Sequence, residues 1–121
     1  MQQPTFSVRI IEQPVNADDI LVGVAINSSH YTQDLRVSSW CYIIYGYNFD
    51  HNSMYSTSPY KTVVNDTLTV SVNVTQKTIE YKVNGNSTGP PRLMSISDSE
   101  FQLLRPVVEL WNVGECVEIY P

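Results

Sequence analysis

The sequence predicts an all-β protein, a two-sheet antiparallel β-sandwich of jelly-roll type formed by a single domain over residues 1–121. Three observations predict it. Segments with period-two hydrophobicity recur along the chain, each bounded by Gly, Pro, Asn or Ser. The stretch from Thr67 to Gly89 holds two such segments in succession and closes on Asn84-Gly85, residues that tolerate the positive φ of a tight turn. No long amphipathic helix is visible, and 121 residues bury one core but not two.

The elements follow in order. Phe6-Ser7-Val8-Arg9-Ile10 alternates, and so does Ile20 to Ile26, with residues 12–19 as the turn between them. Trp40-Cys41-Tyr42-Ile43-Ile44-Tyr45 is a dense aromatic and β-branched run between Ser38-Ser39 and Gly46, as a buried strand requires. From Tyr47 to Tyr60 the composition turns to Asn, His, Ser and Tyr, which predicts a long loop with a short strand around Met54-Tyr55. Leu68, Val70, Val72 and Val74 then alternate with small polar residues, and Ile79, Tyr81 and Val83 alternate with Glu80 and Lys82. These are the arms of an antiparallel hairpin that share one core face. Ser97 to Leu104 fits one helical turn capped by Ser97 or Asp98. Pro106 to Trp111 and Cys116 to Ile119 supply the last strands.

Charge excludes some functions. The net charge is −5 and the sequence pI near 4.7, and Arg9, Arg36, Arg92, Arg105, Lys61, Lys77 and Lys82 are scattered. Nucleic-acid binding needs clustered Lys and Arg to displace counterions, so no nucleic-acid partner is expected. No apolar stretch approaches the ~20 residues of a spanning helix, and no membrane partner is expected. Cys41 and Cys116 each sit in an apolar segment, the setting of small buried hydrophobes rather than of a disulfide. With no apolar signal core in MQQPTFSVRI, this favours a reducing, cytoplasmic setting. Four N-x-S/T sequons, at Asn27, Asn65, Asn73 and Asn86, keep a secreted chain as the alternative, since nine asparagines give about 1.6 by chance.

Catalytic constellations are thin. His30 and His51 are the only histidines, and no zinc spacing, nucleophile elbow or Gly-rich phosphate loop is present. Cys41 and His51 form the one conceivable nucleophile and base, and an apolar strand would keep the Cys41 thiolate scarce. No cofactor, metal or catalytic residue is assigned. Aromatic residues are instead plentiful in the segments assigned to loops, notably Tyr31, Tyr47, Phe49, Tyr55 and Tyr60, with Trp111 at a strand end. Tyr and Trp offer large rigid contact area at small entropic cost, the property that makes them binding hot spots.

An ordered series of segments resembles the SPRY domain family. Phe6-Ser7-Val8-Arg9-Ile10 resembles the family strand carrying an aromatic residue followed by Glu-Val, and Ile20 to Val24 the next strand, ending in Gly-Val. Trp40 to Gly46 resembles the central Trp/Tyr strand, and Asn65-Asp66 stands where the family commonly has Gly-Asp. Ile79-Glu80-Tyr81-Lys82-Val83-Asn84-Gly85 matches the i-x-f-x-x-N-G hairpin, and Pro106-Val107-Val108 with Cys116-Val117-Glu118-Ile119 the last two strands. The resemblance spans nearly the whole chain.

It implies a non-catalytic module, an adaptor or structural subunit, that binds a protein or peptide segment through loops at one end of the sandwich. The turn Trp111-Asn112-Val113-Gly114 occupies a position that lines this surface in the family. The expected partner-binding residues are Trp111, Asn112 and Tyr47, with Tyr31 and His30 in a further loop. Family members carry a segment ahead of the Phe6 strand, part of which pairs near the C-terminal strand. The resemblance therefore implies an open edge at the Phe6 strand or the last strand, filled by upstream sequence, another chain or a self-associated copy. The alternative function is a carbohydrate-binding, lectin-like jelly-roll, for which Asn48-Phe49-Asp50-His51-Asn52 is the one candidate calcium cluster.

Overall fold

The computed structural model describes residues 5–13, 20–26, 38–44 and 46–120. Among the described residues eleven strands and one helical turn follow in order: β1 (Thr5–Glu12), β2 (Ile20–Ile26), β3 (Ser39–Ile43), β4 (Tyr47–Asp50), β5 (Ser53–Thr57), β6 (Thr67–Asn73), β7 (Thr78–Val83), β8 (Asn86–Ser87), β9 (Arg92–Leu93), α1 (Asp98–Phe101), β10 (Leu104–Leu110) and β11 (Cys116–Tyr120). They form two antiparallel sheets. One runs β11-β1-β6-β7-β8, with β9 also on β7, and the other runs β10-β2-β3-β4-β5.

The predicted hairpin is the centre of the first sheet. Val70 lies opposite Tyr81 and Leu68 opposite Val83, while Phe6 and Val8 of β1 meet Val70 and Leu68 from the other side. All six side chains are buried in one core. Fully burying an aliphatic side chain contributes roughly 1.5–3 kcal/mol, so this row is a main source of cohesion. Asn84 and Gly85 adopt φ values of 50° and 85° and form the two-residue connection between Val83 and Asn86. The Asn84 carboxamide also ties down the start of β6, accepting from the Thr67 amide and donating to the Asp66 carboxylate, each at 2.9 Å. Asn65, standing in for glycine, takes φ 76°.

In the second sheet, β2 and β3 are buried on both faces. Ile20, Val22, Val24, Trp40, Tyr42 and Ile44 face the inter-sheet core, whereas Leu21, Ala25, Cys41 and Val107 form a separate outer cluster with Phe49 against it. Gly23 permits this pairing, because a Cβ there would lie 2.0 Å from the Trp40 carbonyl oxygen and 2.6 Å from Cys41 Cα. The helical turn forms where expected. Ser97 is its N-cap, with reciprocal bonds to Glu100 that hold the Glu100 carboxyl below its usual pKa.

Three expectations need correction. The stretch from Tyr47 to Tyr60 is not mainly loop, since Tyr47 and Phe49 lie in β4, paired to β3 on one side and β5 on the other. Its pattern is inverted: Asn48 and Asp50 lie opposite the core residues Tyr42 and Trp40, and the aromatics face outward. Second, of the two strands named for the sheet edge only the last, β11, lies at one among the described strands, because β11 and β6 flank β1. Third, Cys116 is exposed, at the start of the edge strand β11, rather than buried like Cys41. Neither is in a disulfide.

Candidate partner-binding surface

Trp111 follows directly on β10, and the chain reverses over residues 111–115 to enter β11. Gly114, at φ 94°, provides the left-handed step. The turn is held from inside by the buried side chain of Glu115. One of its carboxylate oxygens accepts the backbone N–H groups of Trp111 and Asn112, both at 2.7 Å, and the other accepts from the Asn112 carboxamide at 3.3 Å. The Glu115 amide in turn donates to the Asn112 carbonyl at 3.2 Å. Charge-assisted bonds of this kind are about twice as strong as neutral ones.

The clamp displays apolar side chains. Val113 is 100% exposed and Trp111 40%, and the indole N–H donates to the Glu109 carboxylate. Val113 was not among the expected site residues, and neither was Glu115. The sequence signal for Val113 was its place in the turn of residues 111–114, and that for Glu115 an acidic residue just after Asn-Val-Gly.

Tyr47 is connected to this loop through the sheet. Glu109 lies opposite Leu21, Leu21 opposite Ile43, and Ile43 opposite Tyr47, so all four side chains share one face and one row. Three strand spacings put Glu109 and Tyr47 about 14 Å apart. Tyr47 packs edge-on to Phe49, with ring centroids 6.4 Å apart. Trp111, Asn112 and Tyr47 thus share one end of the second sheet, with Tyr47 on a strand rather than a loop. Tyr31 and His30 lie outside the described residues. The strand positions on either side of them, Ile26 and Ser39, are at the opposite end, beside Leu104 and Ala25.

That opposite end carries a polar cluster which the sequence did not reveal. Asp50 accepts from Arg92 Nε at 3.1 Å and pairs with His51 Nδ1 at 2.7 Å. The Arg92 guanidinium lies 4.7 Å over the Tyr55 ring, and His51 meets Trp40 edge-on at 4.4 Å. Burial raises the Tyr55 pKa above its usual value. These contacts divide the suggested calcium cluster. Both Asp50 oxygens are engaged, and Asn48 is buried with its carboxamide oxygen 3.1 Å from the Thr88 hydroxyl. No group of three or more His, Cys, Asp or Glu residues placed to hold a metal occurs among the described residues. Cys41 and His51 are also separated, since Cys41 belongs to the outer cluster while His51 packs edge-on to Trp40, an inner-core residue.

Among solved structures, the SPRY domain of human HERC1 superimposes with a TM-score of 0.73 at 23% sequence identity, covering 98% of this chain and 74% of that one. No protein-family model and no curated protein matches the chain. The chain therefore has the SPRY-domain fold, an all-β sandwich of two antiparallel sheets.

Proposed function

We propose that this chain is a non-catalytic protein-interaction module, an adaptor or structural subunit, that takes a segment of a partner protein on the 111–115 loop. The observation that carries the reading is the Glu115 clamp. It fixes the loop backbone before any partner arrives, so that burying Val113 and Trp111 costs little ordering entropy. Asn112 adds polar contact, and Tyr47 marks the far margin of the surface.

Several features favour a protein segment over a sugar or a reaction. The displayed side chains are aliphatic and aromatic, as in the central anchors of protein interfaces. Asp50, the acidic member of the suggested calcium cluster, is occupied by Arg92 and His51. Cys41 and His51 face apart.

The test is selection of a random-peptide library on the intact chain, followed by affinity measurement on Trp111→Ala and Val113→Ser variants. Selected peptides should lose about 2 kcal/mol or more with Trp111→Ala, the size of a hot-spot loss. Equal binding to all three proteins would remove the loop from the reading. Calcium-dependent retention on a mixed glycan resin would favour the lectin alternative instead.

A further inference from the structure

We propose that Asn84 is a modification site: with Gly85 it is the chain's point of spontaneous deamidation, a reaction that the folded protein restrains through Asp66 and Thr67 and whose acidic product Asp66 repels. This does not depend on the loop reading. Of nine asparagines only Asn84 precedes a glycine.

Asparagine is a thermolabile residue, and a following glycine, lacking Cβ, obstructs its loss least. The Gly85 amide nitrogen bonds to Asn84 Cγ as the Cγ–Nδ2 bond breaks, and Nδ2 leaves as ammonia with the proton that the Gly85 nitrogen gives up. Water then opens the five-membered imide. Addition at Cγ yields aspartate with the peptide bond restored, and addition at the main-chain carbonyl yields isoaspartate, with the chain running through Cγ. Access is no obstacle, since both residues are exposed and nothing lies within 4 Å of where a Gly85 Cβ would stand.

The side chain is what the fold restrains. Asn84 Oδ1 accepts from the Thr67 amide and Nδ2 donates to Asp66 Oδ1, each at 2.9 Å. Asp66 is fixed in turn, because its second carboxylate oxygen accepts the Val63 amide at 2.9 Å and its carbonyl accepts the Ile10 amide at 3.0 Å. The backbone is held as well: the Asn84 amide donates to the Thr67 carbonyl at 2.8 Å, and Val83 pairs with Asn86 across the two-residue turn. Ring closure makes Cγ tetrahedral and expels Nδ2, so the charge-assisted bond to Asp66 is lost on the way.

The product does not restore that bond. An aspartate at this position still accepts from Thr67, but it sets a second carboxylate against Asp66 where a donor stood. Isoaspartate lengthens the main chain of a connection whose length selects its turn. The folded chain therefore keeps Asn84, and a chain that has spent time unfolded carries the acid.

Native and guanidinium-unfolded chains are incubated in mildly alkaline buffer. Position 84 is followed by peptide mapping with mass detection and by hydroxylamine, which cuts at the imide into residues 1–84 and 85–121. Loss of the Asp66 bond before ring closure should make the native chain slower by about tenfold or more. Asp66→Asn offers an acceptor to Asn84 or to Val63 but not to both, and should speed conversion in the folded chain. Asn84→Asp should lower the guanidinium midpoint. The double variant Asp66→Asn/Asn84→Asp, which exchanges donor and acceptor across the same contact, should raise it again. Equal rates in native and unfolded chains would overturn the proposal, as would an Asn84→Asp midpoint that matches the parent or that the double exchange does not recover. These arms decide where Asp66→Asn alone does not fold; where it folds, an unchanged rate overturns the proposal too.

Discussion

Glu115 and Trp111 are joined by a 2.7 Å hydrogen bond from the Trp111 amide to the Glu115 carboxylate, and this bond fixes where the indole begins. The same oxygen receives the Asn112 amide, so one buried side chain organises two consecutive backbone donors. Glu115→Ala should leave both donors without this acceptor and cost about 1–3 kcal/mol of stability. Hydrogen exchange at the Trp111 and Asn112 amides should accelerate. Glu115→Gln retains a carbonyl oxygen and should lose less; equal losses in the two variants would show that the carboxylate is not the clamp.

Trp111→Ala separates display from packing. A core aromatic costs about 3–5 kcal/mol when truncated. With 40% of its surface exposed, Trp111 should cost well under that, and the melting temperature should fall only slightly. A collapse of the melting transition would make the indole a structural plug.

Val70 is wholly buried between Phe6 and Tyr81 across the central strands. Val70→Asp should unfold the domain, because an unpaired carboxylate in apolar surroundings costs several kcal/mol. Circular dichroism and urea titration check it, and a folded variant of parental stability would refute the register.

The Tyr81 hydroxyl is buried and finds no hydrogen-bond partner among the described residues. Tyr81→Phe removes a desolvated polar group while keeping the ring 5.8 Å from Tyr42, so stability should hold or rise by about 1–3 kcal/mol. The same burial raises the Tyr81 pKa well above 10.0. Below pH 10 both folded and unfolded states hold this proton. Above it the unfolded chain releases the proton while the folded chain keeps it, so stability falls with rising pH by up to about 1.4 kcal/mol per unit for this tyrosine. Melting scans from pH 8 to 12 should show a shallower alkaline decline in Tyr81→Phe; identical slopes would place the titration elsewhere.

Cys116 is exposed and Cys41 buried, and neither is in a disulfide. Ellman's reagent should titrate one thiol in the native chain and the second only on unfolding. Two fast thiols, or none, would contradict this placement.

Period-two alternation determined much of the fold from sequence alone, because a strand with one face in the core must repeat every second residue. It specified β1, β2, β6 and β7 and put Val70 and Val83 in one core. Asn84-Gly85 and the Ser97 cap were equally legible, since each acts through its own backbone within a few residues. β4 escaped because its inward positions are Asn48 and Asp50, stabilised by Thr88, Arg92 and His51 from distant or neighbouring positions that alternation does not encode. For the candidate site, the sequence marked Trp111, Asn112 and Tyr47 as residue types suited to binding, but only strand pairing put them at one end of one sheet. Exposure was likewise a tertiary outcome. Val113 and Ile119 are ordinary strand-forming residues by type, and what leaves one bare on a clamped turn and the other on the outermost described strand of its sheet is the position of every other strand around them.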